Sequence, residues 1–137
     1  KIITEQAREL LPKFKAGVHA LGVQAIVPLP LSSHRLRERG FNQSRMIADW
    51  LAAELDLPVL DVLKRAHRRG HQAERTDEER KQAMLTSPFL LKESGSLPKT
   101  VLLVDDVWTT GATMLAAKQA IESSEHTKVF GFTLAQG

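Results

Sequence analysis

The stretch that decides the reading is Val101-Leu102-Leu103-Val104-Asp105-Asp106-Val107-Trp108-Thr109-Thr110-Gly111-Ala112-Thr113. Four consecutive aliphatic residues, preceded by Thr100, predict a strand over Thr100–Val104 that is buried on both faces, the pattern of a parallel strand inside an α/β sheet. Two acids end it. A turn of small and hydroxyl-bearing residues then leads into a helix on which Ala116, Ala117, Ala120 and Ile121 share one face. Open α/β sheets take their ligands at the carboxyl ends of strands, so this turn is the candidate site. Its backbone N–H groups, its helix N-terminus and the hydroxyls of Thr109, Thr110 and Thr113 suit a phosphate. Gly111 has no Cβ to hold such an anion away from the main chain.

Asp105 and Asp106 demand partners. Adjacent carboxylates at the end of a buried strand repel each other and lose hydration. The vicinal hydroxyls of a ribose would supply partners, as would a hydrated Mg²⁺, which typically keeps several waters and uses few carboxylates. A helix cap would account for one acid and not for both.

Working outward, Ala7, Leu10, Leu11, Phe14, Val18 and Leu21 fall at helical spacing, with Thr4 as N-cap and Gly22 as stop signal. Val23–Leu29 reads as a buried strand closed by Pro28 and Pro30. After an arginine-rich loop, Met46, Ile47, Trp50, Leu51 and Leu55 line a second helix that ends near Pro58, with Trp50 in the core and Phe41 as a core or staple residue. Asn42 and Gln43 are either caps or ligand contacts. Leu57–Leu63, Phe89–Leu91 and Val129–Leu134 are further strands, and Thr76-x-x-Glu79 is a capping box for a short helix over Asp77–Met84. Strands alternating with helices imply a mostly parallel sheet.

Composition narrows the class. The 137 residues suit one domain, with 42% hydrophobic and 26% charged residues and no Cys, which excludes disulfides and thiolate zinc sites in this chain and fits a reducing, cytoplasmic setting. No apolar run reaches the ~18 residues of a membrane span. The opening KIITEQAREL is amphipathic rather than a signal peptide, and the absence of an initiator Met is compatible with a missing N-terminal module. The stretch 32–45 holds Arg35, Arg37, Arg39 and Arg45 against Glu38, which equals the whole +3 excess of the chain and points to a local anion site. None of the eight glycines stands in a GxxxxGK(S/T) or GxGxxG arrangement, so P-loop and dinucleotide readings fail. His67 and His71 are spaced i, i+4, but Gly70 between them breaks a helix and no third ligand follows, so a solvated loop is the better reading than zinc.

The run of four apolar residues, two acids, two variable residues and T-T-G-A-T resembles the signature by which type I phosphoribosyltransferases bind phosphoribosyl pyrophosphate (PRPP). The resemblance implies that Asp105 and Asp106 hold the ribose 2′- and 3′-hydroxyls and, through water, Mg²⁺. It also implies that Thr109, Thr110, Gly111, Ala112 and Thr113 wrap the 5-phosphate. Val107 and Trp108 border the acceptor side, where Trp108 replaces a smaller aliphatic residue. Val27-Pro28-Leu29-Pro30, then Arg39-Gly40-Phe41-Asn42-Gln43, Lys64-Arg65, Gln72, Arg80 and Phe89 are similar to the ComF/GntX group of competence-associated phosphoribosyltransferase-like proteins, a likeness covering roughly residues 23–134. In type I enzymes the equivalent of Leu29–Ser33 cups pyrophosphate. The likeness therefore implies that Leu29, Pro30, Arg39, Lys64 and Arg65 receive it, with Arg39 counted beside Asp105 and Asp106 among the catalytic residues. Two departures stand out: Ala83 where the family carries Asn, and no Cys-rich zinc module.

The expected fold is the type I phosphoribosyltransferase α/β fold, a central sheet of about four or five mostly parallel strands flanked by helices, as a single domain over 1–137. The expected function is binding of PRPP or ribose 5-phosphate in a competence (DNA-uptake) protein. The alternatives are a Mg²⁺-dependent transferase acting on a base or amine, and a PRPP sensor. DNA-uptake proteins or single-stranded DNA are partners that the competence role implies, although five Phe, two Trp and no Tyr offer few stacking surfaces for single strands. A homodimer is compatible with the reading.

Overall fold

The computed structural model describes residues 2–31, 33–66, 88–92, 97–108, 110–124 and 127–136. Helices α1 (Ile2–Ala20), α2 (Ser33–Arg39), α3 (Gln43–Leu55) and α4 (Ala112–Ser124) alternate with strands β1 (Ala25–Pro28), β2 (Leu63–Arg65), β3 (Phe89–Leu91), β4 (Thr100–Trp108) and β5 (Lys128–Gln136). The expected helix over Asp77–Met84, His67 and His71 fall outside the described residues.

The central sheet has the order β1-β4-β5, parallel throughout, and β2 pairs antiparallel with β3 in a separate ribbon. The stretch expected as a strand from Leu57 to Leu63 gives only one parallel bridge, Val59 to Ile26. The Ile26 N–H donates to the Pro58 carbonyl at 2.9 Å and the Leu60 N–H to the Ile26 carbonyl at 2.8 Å. Pro58 has no N–H to extend the ladder, so a fourth strand shrinks to this contact.

Strand alternation sorts the core into two layers. Ala25, Val27, Leu29, Val101, Leu103 and Val129 pack with Met114, Ala117 and Ile121 of α4 and with Leu63 and Phe89 of the ribbon. Ile26, Leu102 and Val104 face the other way, onto Val18 of α1 and Ala48, Leu51 and Ala52 of α3. β4 lies between both layers, which is why its aliphatic run is continuous rather than alternating. On β5, a Cβ at Gly131 would stand 3.2 Å from the Met114 sulfur, so glycine there lets α4 lie close against the sheet. Phe14 and Phe132 bring α1 onto the same sheet, with ring centroids 5.1 Å apart.

Several expectations are corrected. α1 begins at Ile2, so Thr4 lies within its first turn; residue types that cap helices are also tolerated there. Gly22 does follow the helix at φ 74°. The arginine-rich loop contains α2, whose seven residues include one apolar side chain, Leu36, too little to show a period. Trp50 is 48% exposed and Phe41 47%, so neither belongs to the core. The buried stripe of α3 is Ser44, Ala48, Leu51 and Ala52, and Met46 and Trp50 lie outside it. β4 does not stop at Val104: it stays paired with β5 as far as Trp108 opposite Gln136, because ladder hydrogen bonds continue past the apolar run. Among the described residues, no helix is long and apolar enough to cross a membrane.

Candidate functional site

The site forms beside the end of β1 and along the carboxyl-terminal half of β4, where α3 begins and from which the chain leads into α4. Asp105 and Asp106 sit within the paired part of β4, Asp105 opposite Thr133 of β5. Asp105 Oδ1 accepts two hydrogen bonds, from the Asp106 N–H at 2.8 Å and from the Ser44 hydroxyl at 3.0 Å. These fix the carboxylate plane. The Asp105 pKa is raised above the ordinary 3.8, first by burial and then by the neighbouring Asp106 side chain, against the opposing pull of the Asp106 N–H and the Ser44 hydroxyl. The site thus holds a carboxylate that has lost water next to a second one.

Ser44 was not among the sequence candidates. It is 3% exposed, at the start of α3 on the stripe that continues through Ala48, Leu51 and Ala52. A hydroxyl on an otherwise apolar helix face is the signal that could have found it, since a buried hydroxyl needs a partner.

The Arg39–Gln43 segment builds the wall beside the acids. Gly40 takes φ 76° after α2, a left-handed turn that redirects the chain into α3. Asn42 caps α3, its Oδ1 accepting from the Ser44 N–H at 3.0 Å, and its Nδ2 donates to the Leu29 carbonyl at 3.1 Å. Asn42 is therefore a cap that also ties down the β1 loop. Gln43 Oε1 accepts from Arg39 Nη1 at 2.9 Å, and the same nitrogen lies 3.8 Å from Asp106 Oδ2. Arg39 is half-exposed, so this charge pair orients more than it stabilises.

Leu29 is tied to the site through its backbone, and Pro30 follows it toward the β2–β3 ribbon. The Leu29 side chain is buried in the core, while its N–H donates to the Val104 carbonyl at 2.9 Å. The Pro30 carbonyl accepts from Arg65 Nε at 3.0 Å, and the Arg65 guanidinium lies over the Phe89 ring, 4.5 Å from its centroid. Lys64, the next residue along β2, is exposed.

Beyond β4, Thr110 Oγ1 accepts from the Ala112 N–H at 3.3 Å, and Gly111 takes φ 81° before its carbonyl accepts from the Leu115 N–H at 2.9 Å. Gly111 is thus where the chain needs a left-handed residue to enter α4. Ala112 and Thr113 are exposed in the first turn, where helix N–H groups have no intrahelical acceptor. Thr109 lies outside the described residues. Val107 and Trp108 are registered against Ala135 and Gln136. The structure therefore brings together Asp105, Asp106 and Arg39, ties the Leu29 backbone to the same corner through Val104 and Asn42, and leaves Pro30 in contact with Arg65; Thr110–Thr113 begin four positions after Asp106. Among the described residues, no group of three or more His, Cys, Asp or Glu comes together to hold a metal.

Residues 42–134 match the model of the phosphoribosyl transferase domain. The chain belongs to that family. The fold agrees: the structure matches a purine phosphoribosyltransferase from Pyrococcus horikoshii with a TM-score of 0.59 and 16% identity, covering 96% of this chain and 73% of that one. Within the family, the ComF resemblance is borne out by competence proteins. Competence protein ComFC of Streptococcus pneumoniae is 32% identical over 110 residues, 80% of this chain and 47% of that protein. ComFC of Bacillus subtilis is 35% identical over 110 residues, 80% of this chain and 43% of that protein. Competence protein F of Haemophilus influenzae is 34% identical over 93 residues, 66% of this chain and 41% of that protein. The chain spans less than half the length of these curated relatives.

Proposed function

We propose that this phosphoribosyltransferase domain binds PRPP or ribose 5-phosphate at the carboxyl end of β4, within a protein of the competence type. The observation that carries the reading is Asp105: a desolvated carboxylate, oriented by Ser44 and the Asp106 N–H, beside a second acid and just ahead of a hydroxyl-rich turn. A vicinal diol fits this arrangement, since two hydroxyl donors relieve two carboxylates without removing their charge. A Mg²⁺ that keeps most of its water fits it too, because a cation offsets the repulsion that burial aggravates. Its chemistry would be charge neutralisation on the pyrophosphate it accompanies.

Each part of the chain then has a task. Asp105 and Asp106 hold the ribose in one orientation. The first-turn N–H groups of α4 and the hydroxyls of Thr110 and Thr113 receive the 5-phosphate. Arg39, steered by Gln43 to within 3.8 Å of Asp106, favours the further reading that pyrophosphate is recognised and released here. In that transfer the bond from ribose C1 to the pyrophosphate oxygen breaks, and a base or amine nitrogen bonds to C1 and gives up a proton. Pyrophosphate leaves with both bonding electrons. Arg39 stabilises the charge that develops on the leaving oxygen.

Calorimetric titration of PRPP with Mg²⁺ tests the binding reading. Micromolar affinity, about 8 kcal/mol, that is absent in Asp105→Asn/Asp106→Asn supports it. No heat with the unaltered protein, from either PRPP or ribose 5-phosphate, rejects it.

A further inference from the structure

Three hydrogen bonds tie the two residues that follow β1 to β4, to the N-cap of α3 and to β2. The Leu29 N–H reaches the Val104 carbonyl at 2.9 Å, Asn42 Nδ2 reaches the Leu29 carbonyl at 3.1 Å, and Arg65 Nε reaches the Pro30 carbonyl at 3.0 Å. Pro28 and Pro30 lack N–H groups, so this stretch can hold itself in place with few donors of its own. Its carbonyls depend on side chains 13 and 35 residues away. The Arg65 end is itself anchored. Its guanidinium covers Phe89 at 4.5 Å, Phe89 is 1% exposed in the core, and the two residues are direct partners in the β2–β3 ladder.

A planar guanidinium can donate from Nε while its face rests on an aromatic ring; a lysine ammonium on a flexible stem cannot fix both directions at once. Charge alone would not require this geometry. We infer that Arg65, together with Asn42, is a positioning residue: it latches the β2–β3 ribbon to Leu29–Pro30 and so sets the backbone on which the pyrophosphate half of PRPP rests. The inference rests on the PRPP reading above and on the pyrophosphate role that the family resemblance implies for Leu29 and Pro30, and it assigns Arg65 a role through the loop rather than as a counter-charge to the leaving group. Asp105, Asp106 and the Thr110–Thr113 turn belong to β4 and α4. The ribose 5-phosphate half of the site therefore does not depend on Arg65, whereas Asn42 also holds the Ser44 N–H beside Asp105.

The experiment compares Mg²⁺–PRPP with ribose 5-phosphate by calorimetry, in the whole chain and in Arg65→Lys, Arg65→Ala and Asn42→Ser. Serine keeps a helix cap but removes the amide donor. Amide hydrogen exchange at Leu29 and Leu31 is followed in the same proteins without ligand. The latch predicts that all three variants lose PRPP affinity about tenfold or more, as for one lost positioning hydrogen bond. Ribose 5-phosphate affinity stays unchanged in the two Arg65 variants, and exchange at Leu29 and Leu31 speeds up in all three. Arg65→Lys with unaltered PRPP affinity overturns the inference, because charge would then suffice. An equal loss of both ligands in either Arg65 variant overturns it as well, as does an Asn42→Ser variant that binds PRPP normally. Failure of the function reading looks different: the unaltered protein binds neither ligand. In that case the exchange rates alone decide whether the latch exists, and unchanged rates in Arg65→Lys reject it.

Discussion

The two ends of the central sheet handle polar groups in opposite ways. At the amino end, neutral groups close on one another. Gln24 Oε1 accepts from the Lys99 N–H at 3.0 Å, the Gln24 N–H donates to the Thr100 carbonyl at 2.9 Å, and buried Thr127 donates its hydroxyl to the Pro98 carbonyl at 3.0 Å. At the carboxyl end the polar groups are charged and crowded: Asp105 sits beside Asp106 with its pKa raised, and Arg39 approaches only to 3.8 Å. Hydrogen bonds at the amino end complete the fold. Those at the carboxyl end only partly offset what burial and the neighbouring Asp106 side chain impose on the Asp105 carboxylate, the pattern that the proposed ligand would relieve.

The largest effect that would break this comparison comes from Asp105→Asn/Asp106→Asn. PRPP binding should disappear, while thermal unfolding should show a protein as stable as before or more so. A double variant that unfolds would mean that the acids serve the fold and that the two ends are alike. Ser44→Ala comes next. With one donor to Asp105 Oδ1 removed, ligand affinity should fall about tenfold, in line with a hydrogen bond to a charged group, with stability lowered by about 1 kcal/mol; calorimetry and urea denaturation measure the two.

The pH dependence sharpens the contrast further. Because burial raises the Asp105 pKa above 3.8 in the folded chain, the folded state binds this proton more tightly than the unfolded state. The contribution is therefore favourable below the unfolded pKa and is lost as pH rises through the folded one. Asp105→Asn should gain stability over the unaltered protein as pH climbs from about 4 toward neutrality, and the gap should close again in acid. Denaturation curves at several pH values without ligand would show a constant gap if the shift is absent. The smallest effect belongs to the amino end: Thr127→Val should cost about 0.5–1.5 kcal/mol of stability and leave PRPP affinity untouched. Altered affinity in that variant would couple the two ends.

Much of this was legible in the sequence because it is local. An unbroken aliphatic run can only be a doubly buried strand or a buried helix, and the acids, Gly111 and the small-residue helix face of Ala116, Ala117, Ala120 and Ile121 chose between them. The apolar stripe of α3 is offset from the face that is buried: Ile47, Leu51 and Leu55 pack toward the sheet, the small residues Ser44, Ala48 and Ala52 complete the contact, and Met46 and Trp50 stay exposed. Ser44 gives little signal in the sequence alone: a small polar residue reads as neutral unless the stripe it interrupts is already known.

By itself the sequence determined the strand–acid–turn–helix unit, the entry glycine of α4 and the family, because those rest on short local runs whose residue order can be read without knowing how the runs meet in space. Only the tertiary structure decided that Ser44 orients Asp105 from 61 residues away, that Asn42 caps α3 and ties down Leu29, and that Arg65 grips Pro30. A hydrogen bond depends on distance and direction in space. No period along the chain encodes these until the sheet brings the elements together.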